Sequence, residues 1–133
     1  MSPHGRKLVY IVDDDPGVRR AVGRLVRSAG YETRAFASAE EALEHGLHAP
    51  DLVCLVLDIR LPGMSGLDLF RRLEETGPRV PCILVSGHVE PDQVARQIPT
   101  TALAFLAKPF EDQALLDALE RAASPRTVGP GRR

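Results

Sequence analysis

The run Leu52-Val53-Cys54-Leu55-Val56-Leu57 has no polar residue and no alternation, and it stops at one carboxylate, Asp58. Such a run suits a strand covered on both faces, as in a parallel sheet flanked by helices. A charge directly after it is costly if it stays in the core. Asp58 is therefore expected at the carboxyl end of its strand, where open α/β sheets keep their ligand crevice. The residues Leu61-Pro62-Gly63-Met64-Ser65-Gly66 then supply the proline and glycines of tight turns close to that carboxylate.

The same pattern recurs along the chain. From Lys7 to Ser124, five apolar runs each precede a helical pattern, which marks an α/β fold with a parallel sheet. The first strand is Leu8 to Val12, closed by Asp13-Asp14-Asp15-Pro16, with Asp15 and Pro16 suited to capping the helix that follows. That helix carries Val18, Val22, Leu25, Val26 and Ala29 on one face and stops at Gly30. Its other face aligns Arg20, Arg24 and Arg27, either a solvated stripe or a docking surface. The second strand, Glu32 to Phe36, reads as an edge strand. Ser38 and Glu41 make a capping box for a brief second helix ending around Gly46. A third helix runs from about Ser65 to Glu75 with Leu67, Phe70 and Leu73 inward. The fourth strand is Cys82 to Val85. A short fourth helix is bounded by Pro91 and Pro99, because a proline is tolerated only in the first turn. The fifth strand is Ala102 to Leu106. The fifth helix spans about Glu111 to Ala123, with Leu115, Leu116, Leu119 and Ala122 inward.

At 133 residues and 44% hydrophobic composition, one domain is expected. It covers residues 7–123, between a flexible stretch over 1–6 and a disordered Pro/Gly/Arg tail over 124–133. The net charge of −1 gives no overall field favouring nucleic acid or an anionic membrane. Met1 to Lys7 lacks an apolar signal-type core, and no apolar run approaches the ~18 residues that span a bilayer, so a cytoplasmic protein is expected. Cys54 and Cys82 lie inside apolar runs and read as buried free thiols in a reducing compartment, not as a disulfide framework or zinc site. His45 and His48 have no third ligand nearby and read as exposed loop residues.

Four of the five strands end in residues used in phosphoryl transfer: Asp13 and Asp14, Asp58, Ser86, and Lys108. In a parallel sheet these ends share one edge, so the groups converge although far apart in sequence. Three carboxylates in one crevice repel unless a cation joins them. Oxygen donors without Cys or His favour a hard divalent ion, Mg²⁺ above all, with Mn²⁺ as the substitute. With the Lys108 ammonium and the Ser86 hydroxyl, the set is suited to trapping a phosphoryl group on Asp58.

These motifs, Val12-Asp13-Asp14-Asp15, Leu57-Asp58 with Pro62-Gly63-Met64-Ser65-Gly66, Val85-Ser86-Gly87 and Lys108-Pro109-Phe110, resemble in order those of the receiver domain of two-component response regulators. The resemblance covers about Lys7 to Ala123. It implies a single doubly wound, flavodoxin-like domain, a five-stranded parallel sheet of order 2-1-3-4-5 flanked by five helices. It also implies that Asp58 is the phosphoacceptor, and that Asp13, Asp14, Asp58 and the Arg60 backbone carbonyl hold the metal. Lys108 would pair with the phosphoryl group, Ser86 and Phe105 would be the switch pair, and the Lys108-Pro109 bond would be cis. The implied partners are a sensor histidine kinase or a histidine phosphotransfer protein, with a downstream target or output domain. A phosphorylation-dependent homodimer is also expected, and no direct nucleic acid or membrane contact. The family is a phosphoacceptor signalling domain, not an enzyme acting on a separate substrate, although it assists its own phosphotransfer and dephosphorylation. Arg60 and His88, each two residues after a site residue, either shield the phosphoryl group and lengthen its lifetime or face solvent.

The chain departs from many relatives before the fifth strand, where Pro99-Thr100-Thr101-Ala102 replaces a Gly-Ala pair. An aspartate-nucleophile phosphohydrolase is disfavoured because Arg60 stands where such enzymes need a second carboxylate. A flavodoxin-like cofactor binder is disfavoured because three aspartates after the first strand repel phosphate. A receiver-like interaction module that takes no phosphoryl group remains the alternative.

Overall fold

The computed structural model describes residues 7–87, 96 and 98–124. Among them five strands, β1 (Leu8–Val12), β2 (Glu32–Phe36), β3 (Leu52–Asp58), β4 (Cys82–Ser86) and β5 (Ala104–Ala107), form one parallel sheet of order β2-β1-β3-β4-β5. The described helices are α1 (Pro16–Ser28), α2 (Ala39–His45), α3 (Gly66–Thr76) and α4 (Asp112–Ala123). The doubly wound arrangement and the sheet order match the expectation. The expected fourth helix falls on residues that, Arg96 and Ile98 apart, lie outside those described, as do residues 1–6 and 125–133.

The absence of alternation in β3 has a direct explanation. Side chains along a strand point alternately to opposite faces, and here both faces are covered. Leu55 and Leu57 join Tyr10, Val12 and Leu84 beneath α2 and α3. Cys54 and Val56 join Val9, Ile11, Ile83 and Val85 beneath α1 and α4. Burial pushes the Cys82 thiol up to about 12 and raises the Cys54 thiol further, so both stay protonated and inert.

The helix ends follow their local sequence. Asp15 Oδ1 accepts from the amides of Gly17 at 2.8 Å and Val18 at 3.3 Å, with Pro16 as the first helical residue of α1. Such a cap is worth about 1 kcal/mol. At the other end Gly30, at φ 99°, donates to the Arg27 carbonyl while Tyr31 donates to that of Val26. A left-handed residue after the last turn is what a glycine allows. Ser38 Oγ accepts from the Glu41 amide at 3.1 Å, but the Glu41 carboxylate takes the Ala37 amide at 2.9 Å, one residue before the reciprocal partner of a capping box. Ser65 and Asp68 close a complete box at the start of α3.

Three expectations need correction. β5 begins two residues later than the apolar pattern suggests, because the Ala102 amide turns back to the Pro99 carbonyl. On α3, Leu69 is fully buried whereas Leu67 is only half-buried. Leu67 still packs against the core that Leu69, Phe70 and Leu73 enter, so the inner face is wider than the expected three residues. Ala29, placed on the inner face of the first helix, is exposed just beyond its last turn. No described helix is long and apolar enough to cross a membrane.

Candidate functional site

Sheet register assembles the site. Val12 lies opposite Leu57, so Asp13 and Asp58 come next to one another at the edge. Asp58 lies opposite Val85, the residue before Ser86, and Ser86 lies opposite Ala107, the residue before Lys108. Each strand thus hands its terminal polar group to the next.

Four of the five residues singled out from sequence, Asp13, Asp14, Asp58 and Lys108, meet, and Ser86 ends the neighbouring strand. Lys108 Nζ donates to Asp13 Oδ2 at 2.8 Å and to Asp58 Oδ2 at 3.0 Å. Asp13 and Asp58 are buried, at 4% and 6% exposure, while Asp14 is exposed. One carboxylate oxygen from each of Asp13, Asp14 and Asp58 lies within 4.8 Å of the others. Ser86 is buried, and its Oγ finds no hydrogen-bond partner among the described residues. A buried hydroxyl left unpaired costs about 1–3 kcal/mol, a cost that an incoming acceptor oxygen would remove.

The backbone trims the orientation of both buried acids. The Arg60 amide donates to Asp58 Oδ1 at 2.8 Å, and the Asp15 amide donates to Asp13 Oδ1 at 2.9 Å. The Arg60 side chain is exposed. The Lys108-Pro109 peptide bond is cis. Phe105 is half-buried against the core beneath α2 and α3. His88 lies outside the described residues.

Burial raises the Asp58 pKa above the ordinary carboxylate value, the Arg60 amide and Lys108 offset part of this, and Asp13 adds to it. Burial alone would depress Lys108, but its hydrogen bonds and charge attraction to Asp13 and Asp58 outweigh burial and hold it above its ordinary value. Lys108 by itself pulls the Asp58 pKa down. The buried position of Asp58 beside a second carboxylate overrides that pull. Three clustered carboxylates, when ionised, carry more negative charge than the Lys108 ammonium neutralises.

The donor set fits a hard divalent cation. Three clustered carboxylates offer only oxygen ligands, and the exposed Asp14 leaves a side open to water, as Mg²⁺ prefers. The third aspartate of the run, Asp15, is occupied in capping α1.

Two residues here were not anticipated. Arg19 Nη1 donates to the Asp13 carbonyl at 2.7 Å, which ties the strand end to the first turn of α1. Glu40 Oε2 accepts from the Met64 amide at 2.8 Å, tying α2 to the loop after Asp58. Neither has a spacing signal, since each meets backbone rather than a partner side chain. In the arginine stripe, Arg27 Nη1 donates to Thr33 Oγ1 at 2.9 Å, while Arg20 and Arg24 are exposed. His45 and His48 are exposed, His45 lying edge-on to Tyr10 with ring centroids 5.9 Å apart.

The family model described as response regulator receiver domain matches residues 9–120. Nodulation protein W of Bradyrhizobium diazoefficiens is 44% identical over 115 residues, 86% of this chain and 50% of that protein. The solved structure of the response regulator StyR is similar with a TM-score of 0.79 at 41% identity, covering 89% of this chain and 59% of that one. That of FixJ-N is similar with a TM-score of 0.79 at 31% identity, covering 93% and 98%. The chain spans about half the length of the curated relatives it matches.

Proposed function

The chain belongs to the response regulator receiver family, and from that premise we propose that Asp58 accepts a phosphoryl group from the phosphohistidine of a sensor histidine kinase or a histidine phosphotransfer protein. The domain is a signalling module, not a classical enzyme. The observation that carries the proposal is the Lys108 ammonium held between the buried carboxylates of Asp13 and Asp58, beside the unpartnered Ser86 hydroxyl.

In the transfer, an Asp58 carboxylate oxygen bonds to phosphorus while the phosphorus–nitrogen bond breaks and the departing imidazole keeps the electron pair. Lys108 releases Asp58 Oδ2 and donates to a phosphoryl oxygen instead. Ser86 Oγ donates to another, satisfying a hydroxyl that lacks a partner. A Mg²⁺ or Mn²⁺ ion held by Asp13, Asp14, Asp58 and the Arg60 carbonyl would neutralise charge on the phosphoryl oxygens. Asp13 is held ready by the Asp15 amide and, through its carbonyl, by Arg19.

The output follows as a population shift. Ser86, drawn toward the phosphoryl group, vacates space that Phe105 enters, and the surface that β5 and α4 form with the expected fourth helix repacks. Moving such an equilibrium from 1:99 to 99:1 requires a differential interaction of about 5.5 kcal/mol. Arg60 and His88 shield the phosphoryl group and set its lifetime. The curated relatives exceed the chain in length, and several are named transcriptional regulatory proteins, which supports control of an output segment by this surface; a homodimer is a second use of the same surface.

The test is intact mass after incubation with acetyl phosphate and Mg²⁺, for the wild type beside Asp58→Asn. One phosphoryl group gained by the wild type, and lost in the variant or with EDTA, is expected. No gain at saturating Mg²⁺ would overturn the proposal in favour of an unphosphorylated interaction module.

A further inference from the structure

The loop over residues 59–65 joins β3 to α3, and its two ends are fixed from within. At its start the Arg60 amide holds Asp58 Oδ1, and the Ile59 amide donates to the Val85 carbonyl at 2.9 Å. At its end Ser65 caps α3, and the Gly66 amide returns to the Ile59 carbonyl at 3.2 Å. The tip, Pro62-Gly63-Met64, is held from outside by a residue of another element. Glu40, in the first turn of α2 and 24 residues earlier in the chain, accepts the Met64 amide at 2.8 Å.

This approach is close enough to restrict its neighbours. Gly63 has φ 74°, and a Cβ added there would meet Glu40 Oε2 at 2.6 Å. Glycine at 63 suits the backbone angle, and a side chain there would push the Glu40 carboxylate from its present place. The adjacent Glu41 has a different task, accepting the Ala37 amide before α2. Ala39 and Ala42 fix α2 itself in the core. The Met64 amide holds the Glu40 carboxyl below the usual carboxylate range, so it is ionised at neutral pH and its hydrogen bond is charge-assisted.

We propose that Glu40 is a positioning residue of the acceptor site, a strap from α2 that holds the 59–65 loop in the shape presenting the Arg60 amide to Asp58 and the Arg60 carbonyl to the cation. The inference rests on the acceptor reading given above. Glu40 itself touches neither the cation nor the phosphoryl group. Its effect passes through Met64 and the loop to the Arg60 peptide, two residues from Asp58, and so acts on how tightly the cation is held.

Mn²⁺ binding to the wild type, Glu40→Ala, Glu40→Gln and Gly63→Ala, followed by the electron paramagnetic resonance of free Mn²⁺, tests this, with the thermal midpoint and phosphorylation by acetyl phosphate measured in parallel. Glu40→Ala is expected to weaken Mn²⁺ binding by about three- to tenfold, at or below the roughly tenfold lower end of what outer-shell partners contribute, because Glu40 acts one step further out. Glu40→Gln keeps an acceptor oxygen for Met64 and is expected within about twofold of the wild type. Gly63→Ala displaces the carboxylate and is expected to weaken binding too, with little further loss when combined with Glu40→Ala. Wild-type affinity in Glu40→Ala would overturn the strap, and so would an equal loss in Glu40→Gln, which would assign the effect to charge. A wild type that binds no Mn²⁺ and takes no phosphoryl group would instead remove the acceptor reading beneath it.

Discussion

Replacing Lys108 by methionine removes the ammonium while keeping most of the side-chain stem, and so isolates charge from packing. In the metal-free protein it leaves Asp13 and Asp58, both buried, without the cation that bridges them at 2.8 and 3.0 Å. Their carboxylate oxygens lie within 4.8 Å. At an effective dielectric constant of about 20, two unit charges at that separation repel by about 3.5 kcal/mol. Uptake of a proton by one carboxyl limits this cost, and relaxation toward solvent reduces it, so a loss of about 2–3 kcal/mol is expected near pH 8. For a domain of this size that lowers the melting temperature by roughly 8–12 °C.

The pH dependence has a definite sign. Lys108, whose folded pKa is raised, contributes fully below its unfolded value and loses that contribution only as pH rises through the folded one, far above neutrality. Asp58 also has a raised folded pKa, so stability is highest below its unfolded value and falls as pH climbs through the folded value. Without Lys108 that folded value rises further. The deficit of Lys108→Met should therefore be small near pH 5, full near pH 8, and reduced by saturating Mg²⁺, which supplies another cation. Circular dichroism melts of both proteins at the two pH values, in EDTA and in Mg²⁺, measure it. An equal deficit in all four conditions would refute the electrostatic reasoning and leave Lys108 a packing residue.

Gly66→Ala places a Cβ against the Asp58 carbonyl and 2.9 Å from Ile59 Cα, backbone atoms that cannot rotate aside. A loss of about 2–3 kcal/mol in urea unfolding is expected, and a loss below about 0.5 kcal/mol would show that the loop moves freely. Arg60→Ala and His88→Ala should each shorten the lifetime of the phosphorylated state several-fold, followed by intact mass after acetyl phosphate is removed. Unchanged decay in both variants would end the shielding idea.

What could be read from the chain is what short stretches decide by themselves. The unalternating run before Asp58 required a strand covered on both faces, and Cys54 and Leu55 do face opposite halves of the core. Asp15 before Pro16 carried its own cap, because donor and acceptor lie within three residues. Once the strands are parallel and in sequence, polar residues at their carboxyl ends must share one edge, so Asp13, Asp58, Ser86 and Lys108 could be grouped before any coordinates.

Tertiary structure decided the rest, and for one physical reason: a hydrogen bond to a distant backbone group leaves no mark on composition or spacing. Glu40 could have been another solvated glutamate beside Glu41, and only the approach of the Met64 amide to α2 separates them. Arg19 was one arginine among several until its guanidinium met the Asp13 carbonyl. Leu69 enters the core beside Phe70 and Leu73 while Leu67 packs at its margin, because how deep each side chain goes depends on the sheet beneath α3 as well as on its own periodicity. The sequence by itself determined which groups reach the edge of the sheet; register and loop packing decided how far apart they stand and what holds them there.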